Sequence, residues 1–419
     1  MLKLLSTRRF GPLFVTQFLG AFNDNLYKTA MLFLITYHLL AHRPEDAAVM
    51  VTLAGGLFIL PFVLFSSLAG ELADSVDKAR VVRLVKLAEI AIMSVGAFAL
   101  THDSIPLLML VLFGMGVHST FFGPIKYAIL PQHLRPNELL AGTGLVEAGT
   151  YVAILTGQVA GGLLGPHAAW GVVGVAVIGW LTGRQVPTAP PTKVLRINPN
   201  LFASSRRIIA HLAEDRRLLL TAFAVSWFWA MGAVLTTQFV PLVKDRLAAG
   251  EGVATLFLTI FSIGVALGSV AVSRFLKGAV SARYAPVAAI AVSLFVADLV
   301  AAVHFYAVAP GQADVAGFLA QAGSWHIVGA LFGLAVSAGI FVVPLYAILQ
   351  IECDPGERAR TIAANNIINS AFMVIASLIA AAMIGAGVKV LEVILTVGLA
   401  NLLIIPAALK LRTDRVTAV

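Results

Sequence analysis

Inside an otherwise almost wholly apolar run from Pro12 to Leu40, the chain carries Phe22-Asn-Asp-Asn-Leu-Tyr-Lys28. Two amides, a carboxylate and an ammonium thus interrupt a segment long enough to cross a bilayer, for which about 20 apolar residues suffice. A charge at mid-membrane costs roughly 2.5–3.5 kcal/mol on insertion scales, so such groups face a protein interior or a wet cavity. Asp24 and Lys28 lie four residues apart, on one helix face, and can pair. At ~1.5 Å per residue from Pro12, Asp24 sits ~18 Å into the span, near the midplane. A structural ion pair between helices is one use of these groups. A site for a solute or a coupling ion is the reading preferred here, with Asn23, Asp24, Asn25 and Lys28 as its residues.

Further polar groups fall where apolar ones are expected. Phe122-Gly-Pro-Ile-Lys126-Tyr127 places Lys126 five residues before Pro131, ~7–8 Å from a membrane surface and within snorkelling reach. Glu147 lies at a similar depth in the next span, and the short connection makes the two spans neighbours. A Lys126–Glu147 pair is therefore expected. Asn365, Asn366 and Asn369 put amides on one face of a later span, where interhelical hydrogen bonds are the ordinary role. Ser226-Trp227-Phe228-Trp229, followed by Gln238, sets Trp227 ~15 Å deep, beyond an interfacial belt. It either packs in the core or lines a path for an apolar chain.

The elements that must position these residues follow from composition. Of 419 residues 59% are hydrophobic and 12% charged, against about 25% charged in soluble domains. The fold class is an all-α polytopic membrane protein, since the runs are continuous rather than alternating as in a transmembrane barrel. Twelve spans can be drawn, near 12–40, 47–72, 81–101, 105–131, 138–164, 168–183, 217–243, 252–276, 284–308, 325–350, 358–384 and 390–410. Of the 29 Lys and Arg residues, Arg43, Lys244, Arg246 and Lys389 fall on one side, and Lys28 and Lys126 fall inside spans. The rest, including Lys78, Arg80, Arg83 and Lys86, share the other side. The positive-inside rule puts that side, and both termini, in the cytoplasm. The net charge of +8 is thus topogenic and implies no nucleic acid. No cleavable signal peptide is expected, because no small-residue cleavage site follows the basic start. The single cysteine, Cys353, is expected to be a free loop thiol. No phosphate loop, Ser/His/Asp constellation or metal cluster is visible, so no enzyme and no cofactor are expected.

Tyr127-Ala-Ile-Leu130 recurs as Tyr346-Ala-Ile-Leu349, and Pro136 and Glu138 recur in the same register as Pro355 and Glu357. Two parallel six-helix halves follow, at 1–183 and 217–419. The 184–216 stretch between them is a cytoplasmic linker. Its Leu201, Ile208, Ile209 and Leu212 predict an amphipathic helix on the membrane surface.

Gly70-Glu-Leu-Ala-Asp74, trailed by Lys78, Arg80 and Arg83, resembles the conserved loop motif of the major facilitator superfamily. There the charges hold a gate, and Gly70, Asp74, Lys78 and Arg80 would do so here. Together with Phe22–Lys28, Phe122–Pro131 and Ser226–Ala233 leading to Gln238, the chain closely resembles bacterial lysophospholipid transporters of that superfamily. That resemblance implies the major facilitator fold and movement of lysophospholipids from the outer to the inner leaflet of the bacterial inner membrane by alternating access, for re-acylation. It also implies a coupling cation, sodium or a proton, with sodium held by Asp24 and the amides Asn23 and Asn25. An acyltransferase and acyl-carrier-protein ligase, fused to the transporter in some relatives, is an expected partner. Glu89 and Asp298 lie on helices outside the superfamily's cavity and rank lower, and His118 is a single packed imidazole. Gly157-Gln158-Val-Ala-Gly161-Gly162 is similar to the antiporter motif of drug exporters, but Gln158 stands where that motif has proline. This weighs against the alternative of a proton-coupled exporter of amphipathic drugs; a non-transporting membrane subunit anchoring an acyltransferase is a further alternative.

Overall fold

The computed structural model describes residues 2–192, 197–198, 200–308 and 314–412. Among these the secondary structure is helical: α1 (Gly11–Phe33), α2 (Pro44–Ser75), α3 (Lys78–Thr101), α4 (Ile105–Ala128), the short α5 (Leu130–His133), α6 (Pro136–Leu164), α7 (Ala168–Gly183) and α8 (Leu201–Glu214). The chain continues with α9 (Arg216–Leu247), α10 (Glu251–Phe275), α11 (Ala285–His304), the short α12 (Val315–Leu319), α13 (Ala322–Ile351), α14 (Arg358–Gly385), α15 (Val390–Ala400) and α16 (Ile405–Leu411). The twelve expected spans are all present, the last as α15 and α16 joined by a 3-10 turn over Asn401–Ile404. Ten spans are long and apolar enough to cross a membrane by composition alone. α7 is shorter, at 16 residues, and α1 is diluted by its polar residues. Proline opens α1, α4, α6 and α11 within their first two positions, where its missing N–H would have lacked a partner anyway.

The chain divides into two compact units. The first is Met1–Asp215 with Leu349–Ile367, the second Arg216–Ile348 with Ile368–Val419. The start of α14 therefore packs with the first unit, whereas the halves drawn from sequence end at single points. Local anchoring is the reason. The Asp74 carboxylate of α2 accepts hydrogen bonds from Ala359 N (3.0 Å) and Arg360 N (2.9 Å) at the N-terminus of α14. These amides have no intrahelical acceptor, and a carboxylate there also meets the positive end of the helix dipole. A Cβ on Gly70, one turn earlier, would lie 2.6 Å from Ala363 Cβ and 2.9 Å from Ala359 O, so only glycine admits this approach.

Within unit 1, α1 packs on α6 through glycines. A Cβ on Gly161 would meet Leu26 O at 2.6 Å, and one on Gly157 would lie 3.1 Å from Asn25 Cβ. Small residues at this spacing let backbones come together without a hydrophobic driving force, as membrane helices require.

The α8 helix forms as its pattern predicts, and one of its faces packs on α2. Ser204, Ile208 and Leu212 are buried against α2, and the buried Glu71 of α2 is the anchor. Glu71 accepts from Ser204 Oγ (2.5 Å), Asn198 N (2.6 Å) and the Arg207 guanidinium. A carboxylate buried at that position needs donors, and α8 supplies them. Removing the carboxylate by Glu71→Ala forfeits charge-assisted bonds of ~1.5–3 kcal/mol, less a discount for the exposed Arg207 head. Trypsin should then cut at Arg206 and Arg207 at least ~10-fold faster than in the parent; equal cutting would show that α8 is held by its apolar face alone.

Candidate functional site

The polar residues of unit 1 converge from three helices: α1 brings Asp24 and Lys28, α4 brings Ser119, Lys126 and Tyr127, and α6 brings Glu147. Asp24 Oδ2 accepts from Ser119 Oγ at 2.5 Å, while the buried Oδ1 has no hydrogen-bond partner. Glu147 is fully buried. One of its oxygens accepts from the Tyr127 hydroxyl, and the other is unpartnered. Lys28 and Lys126 keep part of their surface accessible.

The expected ion pairs are not formed. Lys28 Nζ lies over the Phe58 ring, 5.6 Å from its centroid, and not against Asp24. Lys126 Nζ lies 4.9 Å from the Tyr127 ring centroid, while the Tyr127 hydroxyl donates to one Glu147 oxygen. Lys126 nevertheless stays within electrostatic reach of both Glu147 and Asp24. The result is two carboxylates with an unpaired oxygen each and two ammoniums held over aromatic faces, a cation–π arrangement that stabilises a desolvated cation. Such a site has both signs on offer and none of them consumed internally.

The amides flanking Asp24 are engaged elsewhere through their nitrogens, while Asn23 Oδ1, like Asp24 Oδ1, is buried without a hydrogen-bond partner. Asn23 Nδ2 donates to Glu89 Oε1 (2.9 Å) and to Val172 O (3.1 Å), and Asn25 Nδ2 donates to Ala21 O on its own helix (2.8 Å). Among the described residues no group of three His, Cys, Asp or Glu is placed to hold a metal.

Sequence reasoning missed what stands behind Asp24. Lys86, assigned to the loop side by its place near the end of a span, is completely buried and forms an ion pair with Glu89. His118 Nε2 lies 3.2 Å from Glu89 Oε2, so this imidazole is not isolated. The available signal was the i,i+3 spacing of Lys86 and Glu89 in one span.

In unit 2 the expected residues serve separate purposes. Trp227 Nε1 donates to Asn401 Oδ1 (2.8 Å), while Asn401 Nδ2 donates to Ala289 O (2.8 Å). Trp227 thus secures the turn that breaks the last span. Trp229 Nε1 donates to the Tyr346 hydroxyl (2.7 Å), so the tyrosine that repeats Tyr127 has a different partner. Gln238 is buried with Oε1 unpartnered. The amides of α14 do not form one lining. Asn369 accepts from Ser226 Oγ at 2.6 Å, and Asn365 is buried with neither amide atom bonded. Asn365 and Asn366 belong to unit 1, and Asn366 lies beside Gly123 of α4, where a Cβ would lie 3.1 Å from its Nδ2. The lower-ranked Asp298 pairs with His326 at 2.9 Å.

Of the loop motif, Gly70 and Asp74 grip α14 as described. Lys78 is buried, with its backbone N–H bonded to Ala189 O (3.0 Å). Arg80 is exposed and takes no part in that grip.

Twelve spanning helices in two units, with ionisable groups of both signs buried at mid-span, define a membrane carrier. The Major Facilitator Superfamily profile matches residues 13–377, and the chain belongs to that superfamily. It is 28% identical over 349 residues to the lysophospholipid transporter LplT of Klebsiella pneumoniae, covering 80% of this chain and 78% of that protein. It is 30% identical over 338 residues to the LplT of Salmonella arizonae, covering 80% and 78%. Among solved structures, the human organic anion transporter MFSD10 (TETRAN) superposes with a TM-score of 0.77 at 14% identity, covering 96% of this chain and 99% of that one. The Escherichia coli fucose:proton symporter FucP gives 0.71 at 12% identity, covering 97% and 98%. At these identities the structural likeness establishes the fold. These relatives and neighbours are named as transporters.

Proposed function

We propose that the protein is a secondary transporter of lysophospholipids, moving them from the outer to the inner leaflet of a bacterial inner membrane by alternating access. The relatives named for this substrate match about four-fifths of the chain. The observation that carries the reading is the charge pattern of unit 1. A lysophospholipid headgroup presents a phosphate and, in lysophosphatidylethanolamine, an ammonium. Lys28 and Lys126 suit the first, and Asp24 and Glu147, each with an oxygen left unbonded, suit the second. A coupling cation (sodium or a proton) would be held at Asp24, whose Oδ1 is unpartnered, with the oxygens of the flanking amides Asn23 and Asn25 as further ligands for sodium. The charge bias along the sequence supports cytoplasmic termini, and an acyltransferase and acyl-carrier-protein ligase would consume the product.

Reconstituted protein in phosphatidylethanolamine–phosphatidylglycerol vesicles should move labelled lysophosphatidylethanolamine between leaflets at least ~10-fold faster than empty vesicles. Running the assay with and without a sodium gradient, and with and without a proton gradient, identifies the coupling ion. Efflux of cationic drugs without lysolipid movement would overturn the assignment.

A further inference from the structure

Glu89 lies at the centre of an enclosed cluster that three helices build. Its carboxylate is met by Lys86 from its own helix α3, by Asn23 Nδ2 of α1 at 2.9 Å and by His118 Nε2 of α4 at 3.2 Å. Both Lys86 and Glu89 are fully enclosed. Room for the ammonium is left by glycines, since a Cβ on Gly179 of α7 would lie 2.9 Å from Lys86 Nζ and one on Gly20 of α1 would lie 3.5 Å from it. Charges buried in a membrane are costly, and an apolar pair of similar volume often serves stability as well or better. Moreover, a pair made within one helix holds no two helices together. What joins helices here is the reach of Glu89 to Asn23 and His118.

Those two residues are sequence neighbours of the site. Asn23 precedes Asp24 on α1, and His118 precedes Ser119 on α4. With side chains ~100° apart along a helix, drawing Asn23 and His118 back onto Glu89 turns Asp24 and Ser119 toward each other. They meet in the 2.5 Å hydrogen bond. We propose that Glu89, neutralised by Lys86, is a positioning residue that sets the rotation of α1 and α4 and so aims the Asp24 carboxylate into the transport site. Lys86 serves as a resident counter-cation, which lets a carboxylate act as the acceptor in an enclosed interior. This inference rests on Asp24 being a transport residue.

The test removes both charges together, so that no unpaired ion is left in the membrane. Full-length Lys86→Met/Glu89→Leu, reconstituted as above with labelled lysophosphatidylethanolamine, should transport at least ~10-fold more slowly while eluting as a single folded species. Lys86→Met/Glu89→Gln, which returns an acceptor to Asn23 without any charge, should recover to within ~3-fold of the parent. Ser119→Ala should also slow transport by ~10-fold, and adding it to the apolar pair should cost less than ~2-fold more, because both changes act on one alignment. Should the apolar pair fail to fold, Asn23→Ala must show the same non-additivity with Ser119→Ala. Parental rates in the apolar pair, no recovery with glutamine, or losses that multiply would each overturn the proposal. Parental transport by Asp24→Asn would instead overturn the reading of Asp24 on which it rests.

Discussion

Asp24→Asn lowers lysophospholipid transport by ~30- to 1,000-fold and skews what remains toward anionic headgroups. The site holds two carboxylates, Asp24 and Glu147, and two ammoniums, Lys28 and Lys126. Asparagine can still accept the Ser119 hydrogen bond, so packing survives. What disappears is the charge that balances the two ammoniums. Removing one member of a desolvated set of charges costs ~2–5 kcal/mol, much of it for the charge left uncompensated, and each 1.4 kcal/mol is tenfold. The variant site carries an excess positive charge, which favours a phosphate and disfavours an ammonium. Transport of lysophosphatidylethanolamine should therefore fall further than that of lysophosphatidylglycerol, by ~10-fold or more. Paired uptake measurements with the two lipids check this; equal losses for both would leave Asp24 with no part in recognising the headgroup.

The second large effect concerns the junction of α2 with the start of α14, and the protein carries its own reporter. Cys353, in the segment leading to α14, is buried, and burial pushes its thiol up to about 12. Thiolate is the reacting species in alkylation, and an unperturbed thiol titrates near 8.5. At pH 8 the native thiol is thus almost entirely protonated and reacts slowly with maleimide. Gly70→Ala sets a Cβ against Ala363 Cβ, Ala359 O and Arg360 Cα, all within 2.6–3.0 Å. Two of these are backbone atoms that cannot rotate away. Asp74→Asn leaves one of two helix-terminal amides without its acceptor and removes the charge that complements the dipole. In both variants the start of α14 should separate from α2 and expose Cys353. Alkylation at pH 8 should accelerate at least ~10-fold, with its pH midpoint falling toward 8.5. Unchanged labelling in both variants would show that the junction is held elsewhere.

How much of this was visible in the sequence can be judged residue by residue. Asp24, Lys126 and Glu147 stood out because each interrupts a span where a charge is costly, and the structure brings all three into unit 1. Their partners were not visible. Four-residue spacing puts Asp24 and Lys28 on one face, yet Lys28 is taken by Phe58 of α2, a helix whose approach no local rule specifies. The apolar pattern of α8 was correct, but its packing on α2 draws on Glu71, which local periodicity does not weigh. Lys86 was misplaced for the same reason. A lysine near the end of a span is assigned to water unless the glycines that enclose it, Gly20 and Gly179, are known to lie against it.

Two kinds of information are therefore separable in this protein. Composition and period, which are local properties, determined that it is a twelve-span helical membrane protein with a repeated unit and misplaced charges. Only the tertiary structure decided which of those charges meet. Whether a buried carboxylate finds an ammonium, a hydroxyl or nothing is set by helix rotation and by contacts between residues tens of positions apart. Glu89 shows the difference most clearly: its cost to the membrane was readable from one span, and its use required three.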